Sequence, residues 1–168
     1  RQVWQMRAGG FTFSRLAPYQ SWPPFRSEAR RLWEVAQPVV KSEVVTRVAV
    51  RYVNRLELPL PFGDFKEYLR TVPEISPSLS QGLSAFFMQL HMPQPDISAV
   101  AVLNLRLEPV AAEPLQKSVT VILDVDLFKE SEIPQNDEGL WALFEQLHVK
   151  KNEIFEACIT DRTRELIR

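Results

Sequence analysis

The chain has little of the chemistry on which metal and cofactor sites depend: one cysteine, two histidines and five glycines among 168 residues. The single cysteine, Cys158, excludes an intramolecular disulfide framework, and His91 and His148 add few soft metal ligands. Only Gly9 and Gly10 are adjacent, so no glycine-rich phosphate loop is present. We therefore predict no metal site and no cofactor.

Neither sign of charge is in excess, because 20 Lys+Arg stand against 21 Asp+Glu, a formal net charge of −1. Such a balance lacks the basic footprint of nucleic-acid binding. No apolar run approaches the ~18–20 residues that span a bilayer, and the chain opens on the strand-like residues Val3-Trp4-Gln5-Met6 rather than on a signal peptide. We expect a cytoplasmic protein that binds neither nucleic acid nor membrane.

What the sequence does contain is a globular composition, with 45% hydrophobic and 24% charged residues. This composition excludes a disordered chain. The length lies within the usual ~100–200 residues of one domain. We therefore assign residues 1–168 to a single domain.

The first 40 residues predict a hairpin followed by a helix. Two β-rich runs, Gln2–Met6 and Phe11–Leu16, flank the pair Gly9-Gly10, which is typical of a hairpin turn. A helix begins at Ser21-Trp22-Pro23-Pro24, where serine can cap and proline fits the first turn. Apolar residues then recur at helical spacing, and we expect the helix to end at or just before Pro38.

The remainder predicts four strands and a terminal helix. The strands are Val44–Leu58, Leu83–Met92, Ser98–Glu108 and Lys117–Phe128, and the last three are joined by segments short enough for an antiparallel meander. A capping box at Asp64–Glu67 predicts a short helix through Leu69, followed by a proline-rich loop at 72–81. The last helix is capped by Asp137 and runs to the C-terminus, and Thr160-Asp161 can cap a final helical piece.

This order of elements predicts an α+β fold. Amphipathic helices and an antiparallel sheet must bury their apolar sides against each other. We expect a curved antiparallel sheet, with all strands in one layer, packed on the long C-terminal helix and on the second helix. Such an arrangement is helix-grip-like.

Short motifs along nearly the whole chain are shared, in the same order, with a known family. They are Leu16-Ala17-Pro18-Tyr19 with Trp22, Thr46-Arg47, Arg51-Tyr52-Val53-Asn54-Arg55, Tyr68-Leu69-Arg70, Asp124-Val125-Asp126, and Phe155-Glu156-Ala157 with Ile159-Thr160-Asp161. In these motifs the chain resembles a sporadically distributed bacterial protein family of unknown function. Members usually carry further N-terminal strands, so the resemblance implies that residues 1–168 are about the C-terminal two-thirds of a longer protein, which agrees with a start in mid-strand. It implies no activity.

Two carboxylates are placed for joint chemistry. Asp124 and Asp126 are two apart on a strand, so they point to one face about 6.6–6.8 Å apart. Such a pair could hold a hard cation or act as acid and base. The alternative is a structural one: a solvent-exposed sheet face, or a face that is ion-paired with Arg47 or Arg51 if the strands are neighbours. No third metal ligand can be identified from the spacing.

Arginines form the more unusual pattern, because Arg47, Arg51 and Arg55 recur on one face of a strand. With Asn104 and Arg106 they could form an anion-binding surface, since guanidinium groups fit carboxylates and phosphates. The alternative is pairing with carboxylates on neighbouring strands. We take the following as a candidate polar-face network: Arg47, Arg51, Arg55, Asn104, Arg106, Asp124 and Asp126.

No catalytic residue is predicted. Cys158 and His148 lie ten residues apart on one predicted helix, about 15 Å along its axis, so they cannot form a dyad. We expect a non-catalytic protein that binds a small ligand or a peptide in a concave space between sheet and helix. Two alternatives stay open: a partner-recognition or assembly subunit completed by edge-strand pairing, which includes a homo-oligomer, and an enzyme built on Asp124, Asp126 and an arginine.

Overall fold

The computed structural model describes residues 1–7, 9–40, 44–79, 83–109 and 117–167. It is a mixed α+β fold with antiparallel sheets, as predicted. The Cα positions separate into two compact units, Arg1–Val45 and Thr46–Arg168, and each is described by itself. The assignment of residues 1–168 to a single domain stays a prediction.

The first unit is a hairpin with a helix packed on it. Strand β1 (Gln2–Arg7) pairs antiparallel with β2 (Gly10–Arg15), which confirms the predicted hairpin. Helix α1 (Trp22–Val40) contacts both strands. Aromatic rings make part of this contact, since the centroids of Phe13 and Phe25 lie 4.9 Å apart and stacked.

Helix α1 does not end at Pro38, as we had predicted, but continues to Val40. A proline inside a helix removes one backbone hydrogen bond and disfavours helical conformation in the residue before it. Pro38 still leaves the Glu34 carbonyl without its helical donor, but only Val39 and Val40 follow it in the helix, so little helix lies beyond the interruption.

The second unit contains a four-stranded antiparallel sheet. Its strands are β3 (Val48–Pro59), β4 (Phe86–Gln94), β5 (Ala99–Leu107) and β6 (Ser118–Lys129), in the order β3-β6-β5-β4. The predicted meander β4-β5-β6 is confirmed, and β3 pairs with β6. The hairpin β1-β2 forms a separate sheet, so the expectation that all strands share one layer was wrong.

Strand β3 begins four residues later than the predicted Val44, at Val48. The reason lies in its partner, since Val48 is opposite Lys129, where β6 ends. Residues before Val48 therefore have no β6 residue to pair with, and β propensity alone does not make a strand.

Two helices follow the sheet. Helix α2 (Asp137–Cys158) is capped by Asn136, whose side chain accepts from the Gly139 N–H at 2.7 Å, and not by the predicted Asp137. Helix α3 (Asp161–Leu166) is capped by Thr160, as predicted, so the terminal helix is interrupted rather than continuous. Among the residues the structure describes, no helix is both long and apolar enough to cross a membrane.

One face of the four-stranded sheet forms the core. Helix α2 packs on β3 and β6, while the segment that contains the 3-10 turn Phe65–Glu67 packs against the core cluster. Backbone hydrogen bonds join the segment that follows the 3-10 turn to the end of α2. The Arg70 N–H donates to the Cys158 carbonyl at 2.8 Å, and the Thr160 N–H donates to the Tyr68 carbonyl at 3.0 Å. Cys158 is buried as predicted, and burial raises the pKa of its thiol.

The core-facing side of α2 also carries a lysine. Lys151 is only 6% exposed, and its Nζ lies 3.5 Å from the centroid of the Tyr52 ring. Nζ donates to Oδ1 of Asn152, whose Nδ2 lies 3.1 Å from Nε2 of His148. Burial disfavours the ammonium form and lowers the pKa of Lys151 to about 8.

Lys151 should make stability depend on alkaline pH. A lysine pKa that is lower in the folded than in the unfolded chain means that the unfolded chain binds more protons between pH 8 and 10.5, so the free energy of unfolding rises with pH in that window. Lys151→Met should remove this rise. We expect the stability difference between Lys151→Met and the unmutated protein to shrink by about 2 kcal/mol between pH 7 and 9.5, as measured by urea denaturation.

Lys150→Met is the matched control. Lys150 is paired with Asp96 at 2.8 Å, which raises its pKa, so it should not reproduce the alkaline trend. If the free energies of unfolding of Lys151→Met and of the unmutated protein differed by the same amount at every pH, the assignment of Lys151 as a buried, destabilised ammonium would be contradicted.

Candidate functional site

The second face of the four-stranded sheet, which we call the polar face, carries all seven residues of the predicted network. In β3 it is formed by the odd-numbered residues, since the even-numbered Val48, Val50, Leu56 and Leu58 are buried on the other side. The registers then place even-numbered residues of β6 and β5 beside them. Because side chains alternate along each strand, six network residues share this face: Arg51, Arg55, Asn104, Arg106, Asp124 and Asp126. Arg47 precedes β3 and lies on the same face through its contact with Asp126.

Asp124 lies at the centre of the polar face and is only 5% exposed. Arg51 donates two hydrogen bonds to its carboxylate, from Nε to Oδ1 at 2.9 Å and from Nη2 to Oδ2 at 2.7 Å. Asn104 donates to Oδ2 from the other side at 3.2 Å. The hydrogen bonds from Arg51 to Asp124 raise the pKa of the guanidinium, and their bidentate geometry fixes the orientation of the two side chains.

These bonds continue across the whole sheet. Gln89 on β4 donates to Oδ1 of Asn104 at 2.7 Å, and Nε2 of His91 lies 3.2 Å from Oε1 of Gln89. The resulting polar ladder runs from Arg51 on β3 through Asp124 and Asn104 to Gln89 and His91. Sequence analysis missed Gln89 and His91, although their alternation with Met88 and Leu90 places them on the polar face once the register is known.

A second group surrounds Asp126. Arg47 approaches Asp126 at 3.5 Å and Glu130 at 3.4 Å, and its guanidinium lies 4.4 Å from the centroid of the Phe128 ring. Burial raises the pKa of Asp126, against the opposing effect of Arg47 and Arg51. Asp124 and Asp126 are thus in different environments, one bonded by three donors and the other partly desolvated.

Arg55 and Arg106 form a third group by sharing Glu108. Their distances to its carboxylate are 3.1 and 3.2 Å, and Arg55 also pairs with Glu57 at 2.8 Å. All four predicted arginines therefore pair with carboxylates, mostly on neighbouring strands. Of the two interpretations left open by the sequence, cross-strand pairing is what the geometry shows, and anion binding stays a prediction.

Chemistry by the two aspartates has little support in this geometry. The carboxylate of Asp124 already accepts from Arg51 and Asn104. Among the described residues, no group of three or more histidine, cysteine, aspartate or glutamate side chains is placed to hold a metal ion. An enzyme built on Asp124 and Asp126 stays a prediction.

A groove lies beside β3 and α3, away from the predicted network except for Arg55. Its volume is about 170 Å³. Leu166 and Ile167, at the end of α3, are 47% and 48% exposed. The residues that line it are Arg55, Leu56, Glu57, Leu58, Thr163, Leu166 and Ile167. Sequence analysis missed this groove, because it depends on where α3 lies relative to β3.

The groove follows a sheet edge, since among the described residues no strand is paired with the outer side of β3. The Leu60 N–H donates to the Lys117 carbonyl at 2.8 Å, which continues the β3-β6 register. Because backbone direction alternates along a strand, even-numbered β3 residues point their N–H and C=O groups at β6. The odd-numbered residues Arg51, Val53, Arg55 and Glu57 point theirs outward, beside the groove.

Comparisons with family models, with curated proteins and with solved structures find no match for this chain. The resemblance to a bacterial family therefore stays a prediction.

Asp124→Ala tests whether the polar ladder is a structural element. The substitution removes the acceptor of two arginine bonds and leaves Nδ2 of Asn104 without its acceptor, so we expect the free energy of unfolding to fall by about 2 kcal/mol. Asp126→Ala, which loses only the longer contact to Arg47, should cost less than about 1 kcal/mol. Chemical denaturation of both variants measures the difference, and equal effects would contradict the central role of Asp124.

Proposed function

We propose that this chain is a non-catalytic binding protein that takes up an extended segment of a partner protein along the open edge of β3. The observation that supports this most directly is the coincidence of two features at the same residues. Arg55 and Glu57 point backbone hydrogen-bonding groups outward, and they also line the groove together with Leu56 and Leu58.

An open edge favours a strand over other ligands. Unpaired N–H and C=O groups in a row are a template for another strand, whose main chain supplies affinity and whose alternate side chains supply specificity. The edge of β3 is a long one, since the strand has 12 residues. At the opposite edge, Pro93 of β4 pairs with Val100 at an outward-facing position, where it offers no donor.

The size of the groove favours a side chain over a free small molecule. Pockets for small ligands are usually ~300–1,000 Å³, whereas this groove has about 170 Å³. It is bordered by the exposed side chains of Leu166 and Ile167, which suits an apolar side chain projecting from a bound strand. The groove thus supplies one specificity pocket beside the main-chain edge.

The polar face holds the edge in place. Arg51 is clamped to Asp124, and Arg55 bonds Thr120 at 3.1 Å and Glu108 on the strands behind it. A rigid edge loses little conformational entropy when a second strand is added. In this proposal the predicted network positions β3, and its residues Arg51 and Arg55 contribute to binding by selecting the register of the added strand.

The binding of a small ligand between sheet and helix, our first expectation from the sequence, has less support. The side chains of Leu123, Leu127 and Leu147 on the core side of the sheet and α2 are fully buried. Packing of this kind leaves little room for a ligand among these residues. The small-ligand and enzymatic alternatives remain predictions.

A designed peptide tests the proposal. In the acetylated and amidated sequence Leu-Lys-Leu-Glu-Thr-Val-Thr-Glu, added antiparallel to β3, the leucines face Leu58 and Leu56. The lysine then faces Glu57 and the glutamates face Arg55 and Arg51, as cross-strand pairing prefers. We expect saturable binding by isothermal titration calorimetry, weakened about tenfold, or 1.4 kcal/mol, by Leu166→Asp, which places a charge in the groove.

Two controls separate edge pairing from non-specific attraction. Val149→Asp introduces the same charge at an aliphatic residue of α2 that is 51% exposed and does not line the groove, so it should bind the peptide normally. A peptide N-methylated at its central glutamate and valine keeps the side chains but loses two donors toward β3, and it should not bind. Equal binding of both peptides would rule out strand addition.

A further inference from the structure

One strand that can complement the edge of β3 is β3 of a second copy of the chain. Two copies related by a twofold axis present the same surface to each other, so a strand edge can pair antiparallel with its own copy. Main-chain bonds require outward-pointing residues to face outward-pointing residues. Odd-numbered residues of one copy must therefore lie opposite odd-numbered residues of the other.

This requirement leaves two long registers. Complete overlap of the two strands would set odd residues against even ones, so the longest allowed registers are centred on Val53 or on Asn54. Centring on Val53 places Arg51 opposite Arg55 of the second copy. These two positive charges repel each other, and the twofold axis creates a second, identical repulsive pair. Centring on Asn54 instead places Arg51 opposite Glu57 of the second copy. These opposite charges attract each other, and the twofold axis creates a second, identical attractive pair.

We propose that the occupant of the β3 edge is β3 of a second copy of this chain, antiparallel and centred on Asn54. The two four-stranded sheets then form one continuous sheet across the twofold axis. This inference rests on the proposed function, because it names the partner that the edge takes up.

The other side chains in this register are compatible with it. On the core side, Tyr52 lies opposite Leu56 of the second copy and Val50 lies opposite Leu58, so apolar residues meet apolar residues beside the groove. On the polar face, Val53, which is 61% exposed, lies beside the aliphatic part of Arg55 of the second copy. Pro59, which cannot donate, lies opposite Ala49 at the end of the overlap.

Cysteine cross-linking distinguishes the registers. Directly opposite residues of a non-hydrogen-bonded pair have Cα atoms about 4.5 Å apart, within the ~4.4–6.8 Å of disulfides. In a Cys158→Ala background, oxidised Asn54→Cys should migrate as a covalent dimer. Val53→Cys should stay monomeric, because its two copies are then diagonal neighbours beyond disulfide reach. A cross-link at Val53→Cys and not at Asn54→Cys would overturn the proposed register.

Light scattering of the unmutated chain tests the association without any substitution. We expect a molar mass near twice the 19.4 kDa of the chain, reduced to the monomer value by Val53→Pro, which removes an outward donor while leaving the bonds to β6. A monomer that still binds the designed peptide would overturn the second copy as occupant but keep the proposed function. A monomer that binds no peptide would overturn both.

Discussion

The register of β3 against β6 is the constraint on which the rest of the structure depends. It places Arg51 beside Asp124 and sends the aliphatic residues of both strands to the core, while the β5-β6 register places Asn104 on the other side of Asp124. A slip of one residue would exchange the two faces, burying the arginines and exposing the leucines. The bidentate contact between Arg51 and Asp124 makes such a slip costly, because the nearly buried carboxylate would lose its donors.

The same register decides which backbone groups stay available. Since even-numbered residues of β3 are committed to β6, the odd-numbered ones carry both the polar side chains and the outward N–H and C=O groups. Recognition along this edge would depend on main-chain hydrogen bonds and one apolar groove. The charged residues would act by holding the strand and by selecting the register of whatever pairs with it.

Local features of the sequence predicted the elements well. Alternation in β3 separated Arg51 and Arg55 from Val48 and Val50, and the motif Thr160-Asp161 marked the start of α3. The spacing of two between Asp124 and Asp126 correctly placed both on one face. These predictions succeeded because they depend only on the period of a strand or on the cap of a helix.

Predictions that needed distant contacts were incomplete. Pairing of β3 with β6 joins segments about 70 residues apart, and it alone determines that β3 starts at Val48 and not at Val44. Gln89 and His91 join the polar ladder only through the register of β4 with β5, and the groove depends on the position of α3. The contact of Lys151 with Tyr52 could not be predicted either, because it depends on the packing of α2 on the sheet.

Amide hydrogen exchange along β3, resolved by NMR for the monomeric protein at low concentration, tests the central claim most directly. The register predicts alternation: slow exchange at Tyr52, Asn54 and Leu56, whose N–H groups bond β6, and fast exchange at Arg51, Val53 and Arg55, which point outward. The amides of Arg51, Val53 and Arg55 should become protected from exchange only when a second strand occupies the edge. Uniformly slow exchange along β3 in the monomer would show that this edge is already paired, and would contradict the account.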